Sequence, residues 1–186
     1  MFGGAVVAAL LGALAGGGAS IPTPIGAGPQ YRLPAAPAAI LRGERVGPLR
    51  CETQAAGRTR AHVELFANRR VLVLPAGIGL AAPLVRDGAY VVRGRCSYAV
   101  RTRAPTGVVE VAAAPSLTVG DLFRVWGQPL GRSRLAGFRG RVRAYVAGAA
   151  WRGDVRAISL RPYAQIVLEL GGYVPPHRFF LFGRHR

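Results

Sequence analysis

The sequence contains no lysine and few acidic residues. Its 25 basic residues are all arginine, its Asp and Glu residues total 8, and its formal net charge is +17. Only 3 His and 2 Cys are present. This inventory is too thin for a metal cage, a carboxylate pair or a Ser/His/Asp triad, and no Gly-rich phosphate loop or nucleophile elbow appears. We therefore expect no enzymatic activity, no cofactor and no bound metal.

Long apolar runs are also scarce, and the longest lies near the start. Residues 1–20 carry no charged side chain, and residues 5–15 form an apolar stretch of signal-peptide length followed by small residues. A membrane-spanning helix needs about 20 apolar residues, and Gly12 interrupts this run. The favoured interpretation is a cleaved signal peptide. The alternatives are a retained anchor, which would contact the membrane through residues 1–20, or neither. The first two predict export to the cell envelope or the extracellular space.

Composition divides the rest of the chain. Residues 21–48 hold six of the 14 prolines together with much Gly and Ala. Such a stretch cannot keep a regular ladder of backbone hydrogen bonds, so it predicts an extended linker. A β-rich domain is expected over residues 49–176, followed by a basic tail over residues 177–186. Its His177 and His185 are expected to be solvated, and its apolar residues 179–182 to pack along an edge.

Cys51 and Cys96 are the only cysteines. An even pair behind an export signal is typical of a disulfide, and the alternative is two buried free thiols.

The domain shows mostly strand patterns. Residues 61–66 and 71–74 predict a hairpin, and further strands are expected at 90–93, 99–103, 108–111, 142–146 and 164–170. One helix stands out, because Thr118 can cap it, apolar residues follow at helical spacing, and Gly127 ends it. The order predicts an α+β fold: a small β-rich roll, nearest to a β-grasp-like arrangement, with a mixed or antiparallel sheet and one covering amphipathic helix.

Arginines at every second position are the one arrangement that could carry chemistry. Arg58, Arg60 and His62 would share one face of a strand, and Arg101 and Arg103 repeat the spacing shortly after Cys96. A disulfide would hold the two segments close together.

Three interpretations of this arginine face stay open. It could be solvated and guard a sheet edge, it could bind an anion through guanidinium forks, or it could form an internal network with Glu110 and Glu64.

Blocks along most of residues 49–176 resemble an uncharacterised family of exported bacterial single-domain proteins. The shared pattern comprises Cys51 and residues 61–66, 75–79, 96–98, 106–109, 117–123, 126–130 and 164–169, of which the Trp-Gly-Gln-Pro-Leu block at 126–130 is the most specific. The resemblance implies the same fold, export and a disulfide.

Many members of that family carry histidines that look like a metal site. In this chain Arg58, Arg60, Arg101 and Arg103 stand where four of those histidines would be, and Glu110 replaces another. Only His62 remains, so no metal function is carried over from the resemblance, and it implies no activity.

Two classes of function remain. The first is a non-enzymatic exported domain whose arginine face docks to an anionic envelope polymer, a lipid headgroup or an acidic protein. The second is a nucleic-acid binder, in keeping with a pI of about 11.7. The leader, the cysteine pair and the lack of a basic reader motif favour the first. The absence of lysine also points to a codon bias that raises the pI without any partner.

Overall fold

A computed structural model of the protein describes residues 30–33, 36–53, 57–113 and 116–183. The predicted leader and the first part of the predicted linker lie outside these residues. The described strands are β1 (Tyr31–Arg32), β2 (Arg58–Ala67), β3 (Arg70–Val73), β4 (Val85–Asp87), β5 (Tyr90–Arg93), β6 (Val100–Arg101), β7 (Val108–Ala112), β8 (Leu130–Gly131), β9 (Arg134–Leu135), β10 (Phe138–Arg139), β11 (Val142–Val146), β12 (Ala149–Trp151) and β13 (Gln165–Leu170). The helices are α1 (Ala38–Leu41), α2 (Val119–Trp126) and a 3₁₀ turn at Val155–Ala157.

The main sheet is built around β2. One edge of β2 pairs in parallel with β13, which continues antiparallel to β11 and then β12. The other edge pairs antiparallel with β7 over its first half and with β3 at its end. β6 adds to β7, and β1 adds to β3 in parallel. The sheet is therefore mixed, and the described residues are β-rich with few helices, which agrees with the predicted α+β class in part.

Helix α2 forms where the sequence predicts it. The Thr118 hydroxyl accepts from the backbone N–H of Asp121, whose carboxylate accepts from the backbone N–H of Thr118, and Gly127 ends the helix in a left-handed conformation. Such a cap contributes about 1 kcal/mol. The helix buries Leu122 and Phe123 completely or nearly so. Burial of each such side chain stabilises the fold by about 1.5–3 kcal/mol.

The alternation of β2 decides what each face of the sheet carries. Ala61, Val63 and Leu65 are at most 1% exposed and belong to the large core that contains α2. The intervening residues Arg58, Arg60, His62, Glu64 and Phe66 therefore point to the opposite face. We call this opposite side the outer face.

The folded body begins earlier than residue 49. Tyr31 pairs opposite Leu72 through β1 and packs on Phe138, and Ile40 of α1 is completely buried. The linker expected at 21–48 is thus corrected over its described part. Prolines prevent long ladders, but a two-residue strand and a single helical turn fit between them.

Two other segments differ from the expectation. The arginine- and glycine-rich stretch after α2, for which the sequence predicts no strand, contains the small sheet β8–β9–β10. The chain after β13 was expected to pack along an edge, but it lies across the outer face and contacts Glu64 and His62. Among the described residues, no helix has the length and apolar character that crossing a bilayer requires.

Candidate functional site

The disulfide between Cys51 and Cys96 fixes one end of the arginine face. The two sulfur atoms are bonded to each other and the two Cα atoms lie 5.5 Å apart, so the predicted pairing is confirmed over the free-thiol alternative. Next to it, Glu52 and Ser97 exchange backbone hydrogen bonds in both directions. These bonds hold the Ser97 hydroxyl in place at the edge of the sheet.

Arg58 and Arg101 meet at that hydroxyl. Arg58 donates to Ser97 Oγ at 3.0 Å, and Arg101 donates to the same oxygen at 3.2 Å. Arg58 also donates to the carbonyl oxygens of Tyr98 and Ala99, each at 3.0 Å. Two guanidinium groups that lie far apart in sequence therefore come together, as expected if the disulfide holds their segments close.

Glu110 is the carboxylate of this cluster. It accepts from Arg101 at 2.7 Å and from Arg103 at 3.2 Å. Strand register explains the contact, because Glu110 of β7 lies opposite Arg101 of β6 on one side and opposite Arg60 of β2 on the other. The two predicted arginine segments thus face the same way, with β7 between them. We call Arg58, Arg101, Arg103 and Glu110 the arginine cluster.

Burial makes the electrostatics of this cluster strong. The side chains of Arg101, Glu110 and Arg103 are 10%, 17% and 22% exposed. Burial and then the charge of Arg101 lower the pKa of Arg58 to about 10, so its guanidinium remains a cation at neutral pH. Burial acts to raise the pKa of Glu110, but Arg101 and Arg103 outweigh it and the pKa lies below its ordinary value.

Arg60 lies on the same face but has different contacts. It donates to the carbonyl oxygen of Gly183 at 3.1 Å, and its guanidinium carbon lies 5.5 Å from the ring centroid of Phe182. Both contacts come from the end of the described chain. In the part of the chain that the structure describes, neither Arg60 nor Arg58 pairs with a carboxylate.

His62 is held between strands and tail. Its Nε2 lies 2.9 Å from the carbonyl oxygen of Thr106, and its Nδ1 lies 2.8 Å from the side-chain amide of Gln165. The Phe180 ring stacks on the imidazole. Burial lowers the pKa of His62, and the hydrogen bond to Gln165 and the charge of Glu64 offset this only in part.

These contacts define the protonation of His62. A carbonyl oxygen can only accept, so Nε2 carries the proton and Nδ1 of the neutral ring is an acceptor. The side-chain oxygen of Gln165 is the atom next to Nδ1, and it can also only accept, so this hydrogen bond forms when Nδ1 is protonated as well and the ring is charged. The Gln165 amide nitrogen is buried without a partner among the described residues.

The segment after β13 closes the outer face, and we call residues 173–183 the tail strap. His177 Nδ1 lies 2.9 Å from a carboxylate oxygen of Glu64, so His177 is not solvated as expected, and Glu64 pairs with it instead of with an arginine. Along residues 179–182 the side chains alternate: Phe180 and Phe182 contact the sheet, whereas Phe179 and Leu181 are 70% and 81% exposed. Beneath the strap lies a cavity of about 400 Å³.

The solvated-face interpretation does not describe these residues. Arg101 and Arg103 form an internal network with Glu110, Arg58 binds backbone carbonyls, and Arg60 and His62 are covered by the strap. Sequence reasoning missed Ser97, Gln165 and Phe180. The alternation of residues 179–182 was the available signal for Phe180, because a period of two predicts one face turned inward.

A metal ion finds few ligands here. Within the described residues, no group of three or more His, Cys, Asp or Glu side chains is placed to hold one. Both ring nitrogens of His62 are already engaged.

Comparison of the chain with models of known families, with curated proteins and with solved structures finds no match.

Proposed function

We propose that this protein is an exported, non-enzymatic binding domain that takes an acidic ligand on its outer face. The observation that carries the proposal is a charge imbalance. Four arginines lie on that face: Arg58, Arg60, Arg101 and Arg103. Among the described residues Glu110 is the one carboxylate that pairs with any of them, and it pairs with Arg101 and Arg103. A second oxyanion at this place would satisfy guanidinium forks that now bind neutral oxygens.

Arg60 is the arginine at which we expect the acidic ligand to bind first. Its Nη1 donates to the carbonyl of Gly183, a neutral acceptor that is weaker than a carboxylate. An acidic segment that displaces the end of the tail strap would replace this bond with a charge-assisted one. An acidic protein or an anionic envelope polymer supplies such groups, and a lipid headgroup supplies the same chemistry at a surface.

Export is supported by the disulfide and the leader. Disulfides persist in oxidising compartments, and the bond between Cys51 and Cys96 closes the site's edge. The leader pattern at 1–20 and the family resemblance also favour export.

The non-enzymatic part of the proposal rests on the side chains at the site. Guanidinium groups donate hydrogen bonds and remain charged at neutral pH, so they bind oxyanions without attacking them. The neutral His62 imidazole has both nitrogens engaged and is stacked beneath Phe180.

We further propose that the core is a β-grasp-like roll. The support is the strand order β3–β2–β13–β11. Its two central strands, β2 and β13, are the first and last of the four in sequence and pair in parallel, and α2 lies between them in sequence.

The test is a titration of the oxidised full chain with hexaglutamate by calorimetry at low and at physiological salt. The double change Arg60→Gln and Arg103→Gln should weaken binding about tenfold or more, and binding should fall steeply with salt. Arg45→Gln with Arg139→Gln removes the same formal charge from exposed positions outside the arginine cluster. Equal losses from the two pairs would mean that net charge alone attracts the peptide, and the proposal would then fail.

A further inference from the structure

A second basic surface lies away from the arginine cluster, at the β11–β12 edge of the sheet. It is a groove of about 630 Å³, lined among others by Arg132, Arg141, Arg152 and Trp151, with Val142 and Val155 among its apolar lining. We call it the Trp151 groove. Its volume falls in the range of sites that bind small ligands.

The chain builds this groove from two separate segments. Trp151 lies opposite the buried Ala144 in the β11–β12 ladder, so its side chain points to the core side of the sheet. Because β12 is the edge strand, the side chain lies outside the buried core and is partly exposed. The backbone N–H of Val142 donates to the carbonyl oxygen of Arg132 at 2.9 Å, which ties the loop after α2 to the same strand. Arg132 and Trp151 therefore line one groove although 130–139 and 149–151 are separate parts of the sequence.

The indole of Trp151 is exposed but held in position. Its Nε1 donates to the carbonyl oxygen of Asp154 at 3.1 Å. The ring rests against Gly153, where a side chain would come within 3.2 Å of it. The residue nevertheless remains 40% exposed. A fixed, solvent-facing indole loses little conformational entropy when a ligand packs on it.

The arginines of the groove have few acidic neighbours in the described part of the chain. The charge of Arg132 does act on Asp154, where it adds to the hydrogen bonds from Arg156 that lower the Asp154 pKa. Arg132, Arg141 and Arg152 are exposed, and none of them forms an ion pair in the described part of the chain. The nearby Asp154 is bonded to Arg156, and Arg143, which also borders the groove, is paired with Glu169.

We propose that the Trp151 groove binds a segment of an anionic polysaccharide. The apolar face of a sugar ring packs on the indole, and the carboxylate groups of the polymer pair with the surrounding guanidinium forks. A saccharide fits better than a nucleic acid, because sequence-tolerant binding of single strands uses several aromatic rings for successive bases. Here the other bordering aromatic residue, Tyr145, points to the opposite face of the sheet from Trp151, where its ring packs against Tyr173. This site is separate from the arginine cluster, so it goes beyond the function proposed above.

The experiment titrates the oxidised full chain with tetragalacturonate and follows tryptophan fluorescence. Trp126 is 1% exposed, so a change on binding reports mainly on Trp151. Trp151→Ala should weaken binding about tenfold, and so should the separate double change Arg132→Gln with Arg152→Gln. Binding to Trp151→Ala is measured by calorimetry, because this variant lacks the tryptophan that reports binding. Trp151→Tyr should retain most of the affinity, because a tyrosine ring still offers a packing face.

Matched controls separate the groove from general charge. Tyr163→Ala removes another exposed aromatic side chain, and Arg45→Gln with Arg161→Gln removes two exposed charges, so both should change the affinity less than about twofold. Maltotetraose, which is neutral, should bind far more weakly than tetragalacturonate. An equal affinity for the neutral sugar would overturn the role of the arginines.

Three further outcomes would reject the groove. Tighter binding of a dT8 oligonucleotide than of tetragalacturonate would make it a nucleic-acid surface. Loss of tetragalacturonate binding in Arg60→Gln with Arg103→Gln, but not in Trp151→Ala, would move the ligand to the arginine cluster and leave the proposed function standing. If neither tetragalacturonate nor dT8 binds, the proposal is also rejected.

Discussion

The ring of Phe180 stacks on the imidazole of His62, with 3.7 Å between the ring centroids and 13° between the ring planes. One ring comes from the tail strap and the other from the central strand β2, so this contact joins the end of the described chain to the middle of the sheet. It closes the outer face over a histidine whose pKa burial already lowers. Four of the predictions below follow from this closed, positively charged face, and one concerns the disulfide beside it.

His62 should make the fold less stable in mild acid. The pKa of His62 is lower in the folded chain than in the unfolded chain. As the pH falls below about 6.5, the unfolded chain therefore becomes protonated at His62 before the folded chain does. Stability should therefore fall from pH 7 toward pH 5, with a slope of at most about 1.4 kcal/mol per pH unit from this residue. Urea unfolding of the protein and of His62→Gln across this range measures the slope, which should be smaller in the variant.

The charged groups around His62 set the size of this effect. Glu64, whose carboxylate lies 3.7 Å from Nδ1, favours the protonated ring, and His177 opposes it. An NMR titration that finds the His62 ring protonating at or above pH 6.5 would contradict the prediction.

The inward side chains of the tail strap should matter and the outward ones should not. Phe180→Ala with Phe182→Ala uncovers His62 and Arg60, and should reduce the free energy of unfolding by about 1–3 kcal/mol. The matched pair Phe179→Ala with Leu181→Ala changes mostly exposed side chains and should stay within about 0.5 kcal/mol.

The same pairs test the masking of Arg60. The inward pair should bind hexaglutamate more tightly than the unaltered chain, because a strap without its two ring contacts holds the Gly183 carbonyl less firmly against the guanidinium group. Unchanged affinity in the inward pair would show that the strap does not limit access.

Glu110→Gln should be strongly destabilising. It leaves Arg101 and Arg103 buried without their shared counter-charge, and loss of one partner of a buried pair costs about 3–5 kcal/mol. Asp154→Asn, which breaks an exposed pair with Arg156, should leave the melting temperature nearly unchanged. Added pyrophosphate should partly restore the stability of the Glu110 variant, because an anion that binds only the folded state stabilises it.

Loss of the disulfide should also weaken the fold. The bond joins residues separated by 45 positions, and closing such a loop stabilises the folded state by about 4 kcal/mol in the chain-entropy model. Cys51→Ser with Cys96→Ser should show this loss in urea unfolding. In the unaltered protein, mass spectrometry should show a gain of two hydrogens only after reduction, and free thiols in exported material would disprove the bond.

Zinc and copper should not bind tightly. Arg58, Arg60, Arg101 and Arg103 place positive charge where a divalent cation would need lone pairs. Elemental analysis of purified untagged protein should find less than one metal ion per chain. Stoichiometric zinc that disappears in His62→Ala would prove this expectation wrong.

Local patterns determined the elements whose stabilising contacts are close in sequence. Helix α2 depends on Thr118, Asp121 and Gly127 together with an apolar stripe, and all of these contacts span a few residues. The period of two in β2 likewise determined that Arg58, Arg60 and His62 share a face, because alternate side chains of any strand do.

Only the tertiary structure decided what those side chains meet. Arg60 contacts a carbonyl 123 residues away, Arg58 contacts a hydroxyl 39 residues away, and Glu110 reaches Arg101 because β7 inserts between β2 and β6. The tail strap and the Trp151 groove also depend on long-range contacts. A periodic pattern specifies the face of a strand but not its neighbours, because pairing follows from the burial of both faces of the whole sheet.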